Sequence, residues 1–384
     1  MKEIVVIGAG RIGATIADMA SQSGDFAVTV VDRSAEALAA LDIDAKVKTA
    51  RCEVAEPGEL ETILSGKFAV LSAAPYSLTT RIAEATAAAK VHYLDLTEDV
   101  KSTRRVKEIA AKAETAFIPQ CGLAPGFIAI AAMSLAKQFD TLDSVAMKVG
   151  ALPQFPTNVL NYALTWSPEG VINEYCEPCE AIVNGKMAEI APLEDIEDLT
   201  IDGVAYEAFN TSGGLGSTPE KLLGKVKSLN YRTIRYPGHA RIMKLLLNDL
   251  NLKDRRDLAL DIFRHALTTT RQDMVVIRVD VTGTKDGKTA HEIFERTVLS
   301  GHVGTRERSA IQITTAAGIL TVLDMLAAGD LAQQGFVAQE EIELDAFLGN
   351  RFGRAFGADQ AARKVAEIRR STPSRGSSGR RRTG

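Results

Sequence analysis

Apolar residues in the first 120 positions fall into short β-branched runs separated by longer amphipathic stretches. The runs are EIVVI, FAVTVV, FAVLS, VHYLDL and TAFIP, and the stretches between them carry apolar residues at helical spacing. Repeated strand–helix units of this kind predict a parallel sheet with helices on both faces. The pattern therefore predicts a doubly wound α/β domain over residues 1–126.

The pattern changes after about residue 140. LDSVAMKVGALP predicts one strand, and the two alternating runs joined at KDGK (285–288) predict a long β-hairpin. Because hairpin-connected strands form antiparallel or mixed sheets, residues 127–308 are predicted to form a C-terminal α+β domain with an open mixed sheet. The apolar, alanine-rich segment 309–329 predicts a buried helix, and we expect residues 309–357 to return to the first domain and complete it.

The first strand leads directly into GAGRIG, residues 8–13, and a helical pattern follows. Gly8 permits a tight turn, Gly10 lets the backbone approach a pyrophosphate, and Gly13 lets the helix pack closely on the strand. Arg11 and Ile12 open the helix, whose N-terminus attracts phosphate. In this strand–turn–helix context the motif predicts a Rossmann-type dinucleotide-binding domain.

The second strand ends in Asp32, 19 residues after Gly13. An acidic side chain there accepts hydrogen bonds from the adenosine ribose and repels a 2′-phosphate, so it favours NAD. Arg33, the next residue, can accommodate that phosphate, which leaves NADP open as the alternative cofactor.

In a sheet of this type, ligands bind beyond the carboxyl ends of the strands. Three segments follow such ends, namely SAAPY (72–76), YLDLTED (93–99) and CGLAPGF (121–127). We expect the nicotinamide ribose to lie against Ser72, Ala73 and Pro75. The side chains expected beside the reacting atom are Tyr76, Tyr93, Asp95 and Cys121. Core packing is the alternative for the two tyrosines.

Composition narrows the class of protein. The chain has 384 residues, 46% hydrophobic and 24% charged, with a net charge of −4, which offers no positive field for nucleic acid. No uncharged apolar run reaches 18 residues, so we expect no membrane span, and without a signal-like N-terminus we expect a cytoplasmic protein. Four cysteines make no disulfide framework, and CEPC (176–179) lacks partners for a metal site. The Ser/Gly/Arg-rich tail, 371–384, is predicted to be disordered.

Four motifs, GAGRIG, GLAPGF, AFNTSGG and YRTIRYPGH, occur in this order and spacing. They resemble the saccharopine dehydrogenase family, and within it the L-lysine 6-dehydrogenase branch, over residues 1–356. The resemblance implies NAD(P)-linked oxidation of the C–N bond at carbon 6 of lysine or of an N-substituted lysine. The aldehyde product is 2-aminoadipate 6-semialdehyde, and the leaving amine is ammonia from lysine or glutamate from saccharopine.

The implied substrate is a zwitterion with at least one carboxylate. A guanidinium binds a carboxylate through two parallel hydrogen bonds, which lysine cannot do. Arg232 and Arg235 lie three residues apart and face opposite sides of a strand, and we favour Arg235 as the α-carboxylate ligand. The residues expected to orient the amine or complete the pocket are Tyr236, His239, Thr211 and Ser212.

Hydride transfer requires an unprotonated amine, whose free pKa is near 10.4, so a base must accept its proton. Asp95 is the first candidate because of its place at a strand end, and His239 is the second because of its intrinsic pKa. Three other functions stay open: a glutamate-forming saccharopine dehydrogenase, a carboxyspermidine dehydrogenase-type imine reductase, and a dinucleotide-binding protein without turnover. An open sheet edge predicts a homodimer.

Overall fold

The apolar runs of the first 120 residues form strands of one parallel sheet in the computed structural model, which describes residues 1–357. Helices connect these strands, as the strand–helix alternation predicts. The elements of this region are β1 (Lys2–Ile7), α1 (Arg11–Gln22), β2 (Phe26–Asp32), α2 (Ala35–Ala39), β3 (Lys48–Arg51), α3 (Glu59–Leu64), β4 (Ala69–Ser72), α4 (Thr79–Ala89), β5 (His92–Asp95), α5 (Val100–Ala110) and β6 (Ala116–Ile118).

A mixed sheet dominates the second half of the chain. Its elements, with the first flanking helix, are α6 (Phe127–Ala136), β7 (Thr141–Pro153), α7 (Pro168–Cys176), β8 (Cys179–Val183), β9 (Lys186–Ile190), β10 (Glu197–Ile201), β11 (Val204–Asn210), α8 (Thr218–Leu222), β12 (Val226–Arg235), α9 (His239–Lys244), α10 (Arg256–Ala266), β13 (Asp273–Lys285) and β14 (Lys288–Leu299). The chain then forms β15 (Gly301–Val303), β16 (Arg306–Arg308), α11 (Ala310–Ala328), β17 (Gly335–Phe336) and α12 (Leu344–Gly349).

The parallel sheet has the strand order β3-β2-β1-β4-β5-β6-β17. All of its pairs are parallel, with Val6 opposite Val30 on one side and Leu71 on the other. The order reverses between β1 and β4, because the chain adds β2 and β3 on one side of β1 and the later strands on the other. Such a reversal leaves a crevice at the carboxyl ends of the strands, where ligands bind.

The mixed sheet runs β10-β11-β12-β7-β13-β14, and β8 and β9 extend from β12. Only the pair β7–β12 is parallel. The predicted hairpin is β13–β14, whose turn residues Asp286 and Gly287 have φ values of 51° and 72°. Both are left-handed, as a tight two-residue hairpin turn requires. The predicted fold class, a Rossmann-type parallel sheet plus an α+β part with an open mixed sheet, is confirmed.

Helix α11 and strand β17 bring the end of the described chain back to the first sheet. Helix α11 packs against α1, and β17 pairs with β6. By length and composition α11 could cross a membrane, but 72% of its most apolar stretch is buried inside the fold, as in a core helix. One apolar core runs from the parallel sheet through α6 and α11 to the mixed sheet.

Two sequence-based expectations stay predictions. The domain boundaries at 126/127 and 308/309 stay predictions. Residues on both sides of each boundary pack into one apolar core, so the packing does not separate the predicted domains. The tail that the sequence predicts to be disordered, residues 371–384, lies outside the described part of the chain.

Candidate active site

The GAGRIG turn is too tight for side chains at two of its glycines and open at the third. Gly8 has a φ of 109°, and a Cβ on Gly13 would lie 1.9 Å from the carbonyl oxygen of Gly8. A Cβ on Gly10 would meet no atom within 4 Å. Gly10 is also the N-cap of α1, and no side chain caps this helix end. The open end with free N–H groups fits a dinucleotide pyrophosphate.

The carboxylate of Asp32 is fixed beside this turn. One oxygen accepts a hydrogen bond from the N–H of Ala9 at 2.8 Å, and the other accepts from the N–H of Ser34 at 2.9 Å. Carboxylate oxygens have further lone pairs, so Asp32 can still accept from ribose hydroxyls. Arg33 is exposed next to it. The arrangement fits the adenosine end of the same cofactor.

A cleft of about 810 Å³ opens between the two sheets, beyond the carboxyl ends of β4 and β5. Ile12, Ala73, Pro75 and Tyr76 line its cofactor side. Alternate residues of β12 line the opposite wall, namely Tyr231, Thr233 and Arg235. The cleft therefore joins the nucleotide-binding edge of the parallel sheet to polar groups of the mixed sheet.

A second chamber of about 690 Å³ shares part of its wall with this cleft, and Thr211 and Ser212 line it. The junction, meaning the residues that line both spaces, consists of Tyr76, Glu98, Asn173, Glu174, Tyr231 and Arg256.

Arg235 is a buried cation without an anionic partner. Its side chain lies in the cleft wall with only 2% of its surface exposed. Its Nε donates to the hydroxyl of Tyr175 at 3.0 Å, and its Nη1 donates to the carbonyl of Ile234 at 2.9 Å. No carboxylate of residues 1–357 lies within 4 Å of the guanidinium. A buried unpaired charge is costly, so the site is suited to an anionic ligand.

A chain of hydrogen bonds holds Arg235 from behind. His239 Nδ1 lies 3.0 Å from the Leu160 carbonyl, which can only accept, so Nδ1 carries the proton. His239 Nε2 then accepts from Tyr175 at 3.1 Å. Burial, helped by the nearby Arg235 charge, lowers the pKa of His239 to about 3. The imidazole is therefore neutral and orients Tyr175.

Two carboxyl groups of the junction make no ion pair with residues 1–357. Burial raises the pKa of Glu174 to about 8, with Arg235 opposing and Glu98 adding to the shift. Burial also raises the pKa of Glu98 above its usual value. The site thus combines one guanidinium with two carboxyl groups whose proton affinity is increased.

Two family matches cover almost the whole described chain. Residues 4–118 match the saccharopine dehydrogenase NADP binding domain, and residues 122–350 match the saccharopine dehydrogenase C-terminal domain. The chain belongs to the saccharopine dehydrogenase family. It is an oxidoreductase of this family, and its cofactor is NAD(P).

Curated relatives of this family member are longer proteins. The mitochondrial alpha-aminoadipic semialdehyde synthases of Rattus norvegicus and Bos taurus are 21% and 22% identical to it over 262 and 259 residues. The aligned region covers 63% of this chain and 27% of each relative's length.

Two solved structures share the fold of the family member. Saccharopine dehydrogenase (L-Glu forming) from Saccharomyces cerevisiae has a TM-score of 0.73 at 16% identity and covers 93% of this chain and 96% of its own. Homospermidine synthase from Legionella pneumophila, in complex with NAD, has a TM-score of 0.62 at 12% identity and covers 93% and 90%. At these identities the likeness extends to the fold alone.

Asp95 and Tyr93 do not lie where the sequence placed them. Asp95 is 1% exposed, lines neither space, and accepts from the Tyr93 hydroxyl at 2.6 Å and from the N–H groups of Thr97 and Gln120. Burial raises the pKa of Asp95 to about 6. The expectation that Asp95 and Tyr93 face the reacting atom is corrected: they tie β5 to the loop after β6, one layer behind the cleft.

Four further candidates also lie outside the two cavity walls. The Cys121 thiol is buried and donates to the Ile118 carbonyl, the Tyr236 hydroxyl donates to the Pro153 carbonyl, and Ser72 is 3% exposed. His239 reaches the cleft only through Tyr175. Their predicted contacts with substrate or ribose are corrected to supporting roles. Strand alternation or local bonding turns each of these side chains away from the cavity.

Sequence reasoning missed several groups that line the cleft, namely Trp166, Glu98, Glu174 and Tyr231. Glu174 had a detectable signal, because it follows Val171 and Gly170 by one helical turn on α7 and so lies on an apolar face. Glu98 lay within the segment YLDLTED, but the bend after β5 that turns it toward the cleft is a tertiary feature.

No group of three or more His, Cys, Asp or Glu side chains within residues 1–357 is arranged to hold a metal ion. The two thiols of CEPC are free, with Cys176 ending α7 and Cys179 beginning β8.

Alanine substitutions at Gly10 and at Gly13 are expected to affect different properties, the first cofactor binding and the second stability. Gly10→Ala should fold normally and weaken NAD(P) binding about tenfold or more, because its methyl group projects into the ligand space. Gly13→Ala should lower the free energy of unfolding by at least about 2 kcal/mol, because overpacking against backbone is costly. Thermal melting and cofactor titration separate the two effects. Equal loss of stability in both variants would contradict this assignment.

Tyr175→Phe should raise the KM for the amino-acid substrate about tenfold with little change in kcat. The variant loses the hydroxyl that fixes Arg235, and one hydrogen bond to a charged group contributes about 1.5–3 kcal/mol. Tyr236→Phe is the matched control, since its hydroxyl bonds to Pro153 outside the cleft, and it should leave KM unchanged. Steady-state kinetics measure both. A lower kcat with an unchanged KM would argue against a positioning role for Tyr175.

Glu174→Gln should increase thermal stability progressively as the pH rises from 5 to 8. The raised pKa of folded Glu174 means that its carboxyl stays protonated while the unfolded form ionises, so the wild type loses stability across this interval. Glu61→Gln is the control. Arg81 lowers the pKa of Glu61 to about 2, so its effect on stability should be destabilising and flat between pH 5 and 8. Melting curves of both variants and the wild type at pH 5 and pH 8 measure these effects. A stability difference between Glu174→Gln and the wild type that does not change with pH would contradict the raised pKa of Glu174.

Proposed function

We propose that the chain is an NAD(P)-dependent dehydrogenase that oxidises the C–N bond at carbon 6 of L-lysine. The products are 2-aminoadipate 6-semialdehyde, ammonia and reduced cofactor. The observation that carries the proposal is the buried, unpaired Arg235 facing a cleft that also contains the unpaired carboxyl groups of Glu98 and Glu174. An amino acid with a terminal amine has the complementary charges.

The cofactor supplies the acceptor for the hydride that leaves carbon 6. Gly8, Gly10 and Gly13 make the turn that admits its pyrophosphate, and Asp32 offers acceptors for the adenosine ribose. Because a carboxylate at this place repels a 2′-phosphate, we favour NAD over NADP. Exposed Arg33 is the group that would let NADP bind.

The substrate is held at both ends in this proposal. Arg235 binds the α-carboxylate, with Tyr175 and His239 fixing the guanidinium. Glu98 or Glu174 accepts the proton of the ε-ammonium group when it is ionised, which for Glu174 requires a pH near or above its raised pKa of about 8. Proton transfer becomes easier as the pKa of the acceptor approaches that of the donor, and burial raises the pKa of both carboxyl groups. Water then hydrolyses the imine to the aldehyde and ammonia.

A glutamate-forming saccharopine dehydrogenase is the less favoured candidate. Saccharopine has three carboxylates, whereas the charged groups of the cleft are two arginines and three glutamates, Glu98, Glu169 and Glu174. Arg256 is also bonded to Glu177 at 2.6 Å. The excess of carboxyl groups supports a substrate with more positive charge. The predicted homodimer and cytoplasmic location stay predictions.

The first experiment is an absorbance assay at 340 nm with L-lysine and saccharopine, each with NAD and NADP. We expect reduction with lysine, accompanied by ammonia release. Reduction with saccharopine alone would replace the proposed function by the glutamate-forming one. Reduction with neither would contradict both and leave a dinucleotide-binding role.

Arg235→Lys should lower kcat/KM for L-lysine about 100-fold, since a single ammonium cannot replace the two-point contact with a carboxylate. Arg232→Lys is the matched control on the same strand: Arg232 points away from the cleft and bonds to Glu197 at 2.6 Å, so kcat/KM should stay within about twofold of the wild type. Similar losses in both variants would sink the assignment of Arg235.

A further inference from the structure

The loop after β6 lines the cleft and begins in a strained backbone conformation. Four consecutive residues of this loop, 122–125, line the cleft together with Ile12, Ala73 and Pro75 of the cofactor side. Gln120, just before them, has a φ of 62°, a left-handed value that residues other than glycine rarely adopt. Such a conformation persists only where the surrounding structure holds it, so Gln120 must have a strong local partner.

The side chain of Asp95 is that partner. Its Oδ1 accepts a hydrogen bond from the N–H of Gln120 at 2.8 Å and another from the N–H of Thr97 at 3.1 Å. Its backbone carbonyl accepts from the N–H of Cys121 at 2.8 Å, and its Oδ2 accepts from the hydroxyl of Tyr93 at 2.6 Å. One buried residue therefore fixes the backbone of both the bend after β5 and the loop after β6.

Close backbone packing surrounds the rest of this loop. A Cβ on Gly126 would lie 2.3 Å from the carbonyl oxygen of Gly122, and a Cβ on Gly318 of α11 would lie 2.7 Å from the carbonyl oxygen of Cys121. Protein interiors packed to this density do not deform continuously. A change of φ at Gln120 must therefore displace the segment 122–125, which is the part of the loop that lines the cleft.

We propose that Asp95 is a positioning residue for the nicotinamide end of the cofactor. It holds Gln120 in the left-handed conformation and so keeps residues 122–125 in the shape that accepts the nicotinamide. The GAGRIG turn and Asp32 accommodate the pyrophosphate and the adenosine ribose without this loop. The inference goes beyond the proposed function, because it requires NAD(P) and no particular amino-acid substrate.

This role requires a hydrogen-bond acceptor at position 95 and not a charge. The N–H groups of Gln120 and Thr97 bond to the same atom, Oδ1, so the amide oxygen of Asp95→Asn would retain both bonds. The new amide nitrogen would face Tyr93, whose hydroxyl also bonds to Thr79 and can accept instead of donate. A general base at this place would need the charge, and asparagine would abolish it.

Calorimetric titration of the full chain with NADH and with ADP-ribose tests the inference without turnover. Asp95→Ala should weaken NADH binding about tenfold or more, because the loop then reaches its binding shape in only a fraction of the molecules. ADP-ribose lacks the nicotinamide, so its affinity should stay within about twofold of the wild type. Asp95→Asn should bind both ligands as the wild type does.

Three results would overturn the proposal. Equal losses of NADH and ADP-ribose affinity in Asp95→Ala would indicate general structural damage. Unchanged NADH affinity in that variant would show that the loop does not depend on Asp95, and a loss in Asp95→Asn as large as in Asp95→Ala would show that the charge is what matters. NADPH and the 2′-phosphate of ADP-ribose replace the two ligands if the wild type binds NADPH more tightly.

A second substitution tests the cause of the loss. Glycine adopts a φ of 62° without steric cost, so adding Gln120→Gly to Asp95→Ala should restore NADH affinity at least about threefold. Gln120→Gly alone should leave it within about twofold of the wild type. No recovery in the double variant would overturn the proposal. If Asp95→Ala does not fold, Gln120→Val replaces it, since a β-branched residue resists this φ, and it should weaken binding of NADH but not of ADP-ribose.

Discussion

A buried guanidinium that no carboxylate of residues 1–357 pairs with is the constraint on which the cleft between the two sheets depends. Removing a charge from water costs several kcal/mol unless partners compensate for it. Within residues 1–357, Arg235 donates hydrogen bonds to a phenol and a carbonyl and lies 5.0 Å from the centre of the Tyr162 ring. Tyr175, His239 and the Leu160 carbonyl fix its orientation through a hydrogen-bond chain with a single consistent direction. The fold thus holds a cation in a fixed orientation in the cleft wall, which is the arrangement on which the proposed binding of an α-carboxylate rests.

The carboxyl groups opposite Arg235 follow the same logic. Glu174 and Glu98 are placed where burial disfavours their charge, and no cation among residues 1–357 pairs with them. A ligand with both an ammonium and a carboxylate satisfies the guanidinium and the carboxyl groups together. Active sites commonly store unfavourable electrostatics in this way, because the compensation arrives with the substrate.

The cofactor half depends on backbone geometry more than on charge. Gly8 and Gly13 let β1 and α1 approach until no side chain fits between them, and Gly10 leaves the helix end open. These three steric requirements lie within six consecutive residues, so the sequence motif alone predicts them. The mixed-sheet half was also visible in outline, since the KDGK turn and its alternating runs specify the hairpin β13–β14 locally.

Local sequence determined the strand and helix order, the glycine turn, the hairpin and the opposite directions of Arg232 and Arg235 on β12. The physical reasons lie within a few residues: φ angles, period-two alternation and side-chain size. Only the tertiary structure decided which polar groups line the cleft. Asp95 ends β5 and Cys121 follows the end of β6 by three residues, where ligands usually bind, yet both side chains are buried behind the cleft. Glu98 comes from the bend after β5, Glu174 from α7 and Tyr231 from β12. These side chains meet only because the two sheets pack together. Contacts between residues distant in sequence depend on that packing, which no local pattern encodes.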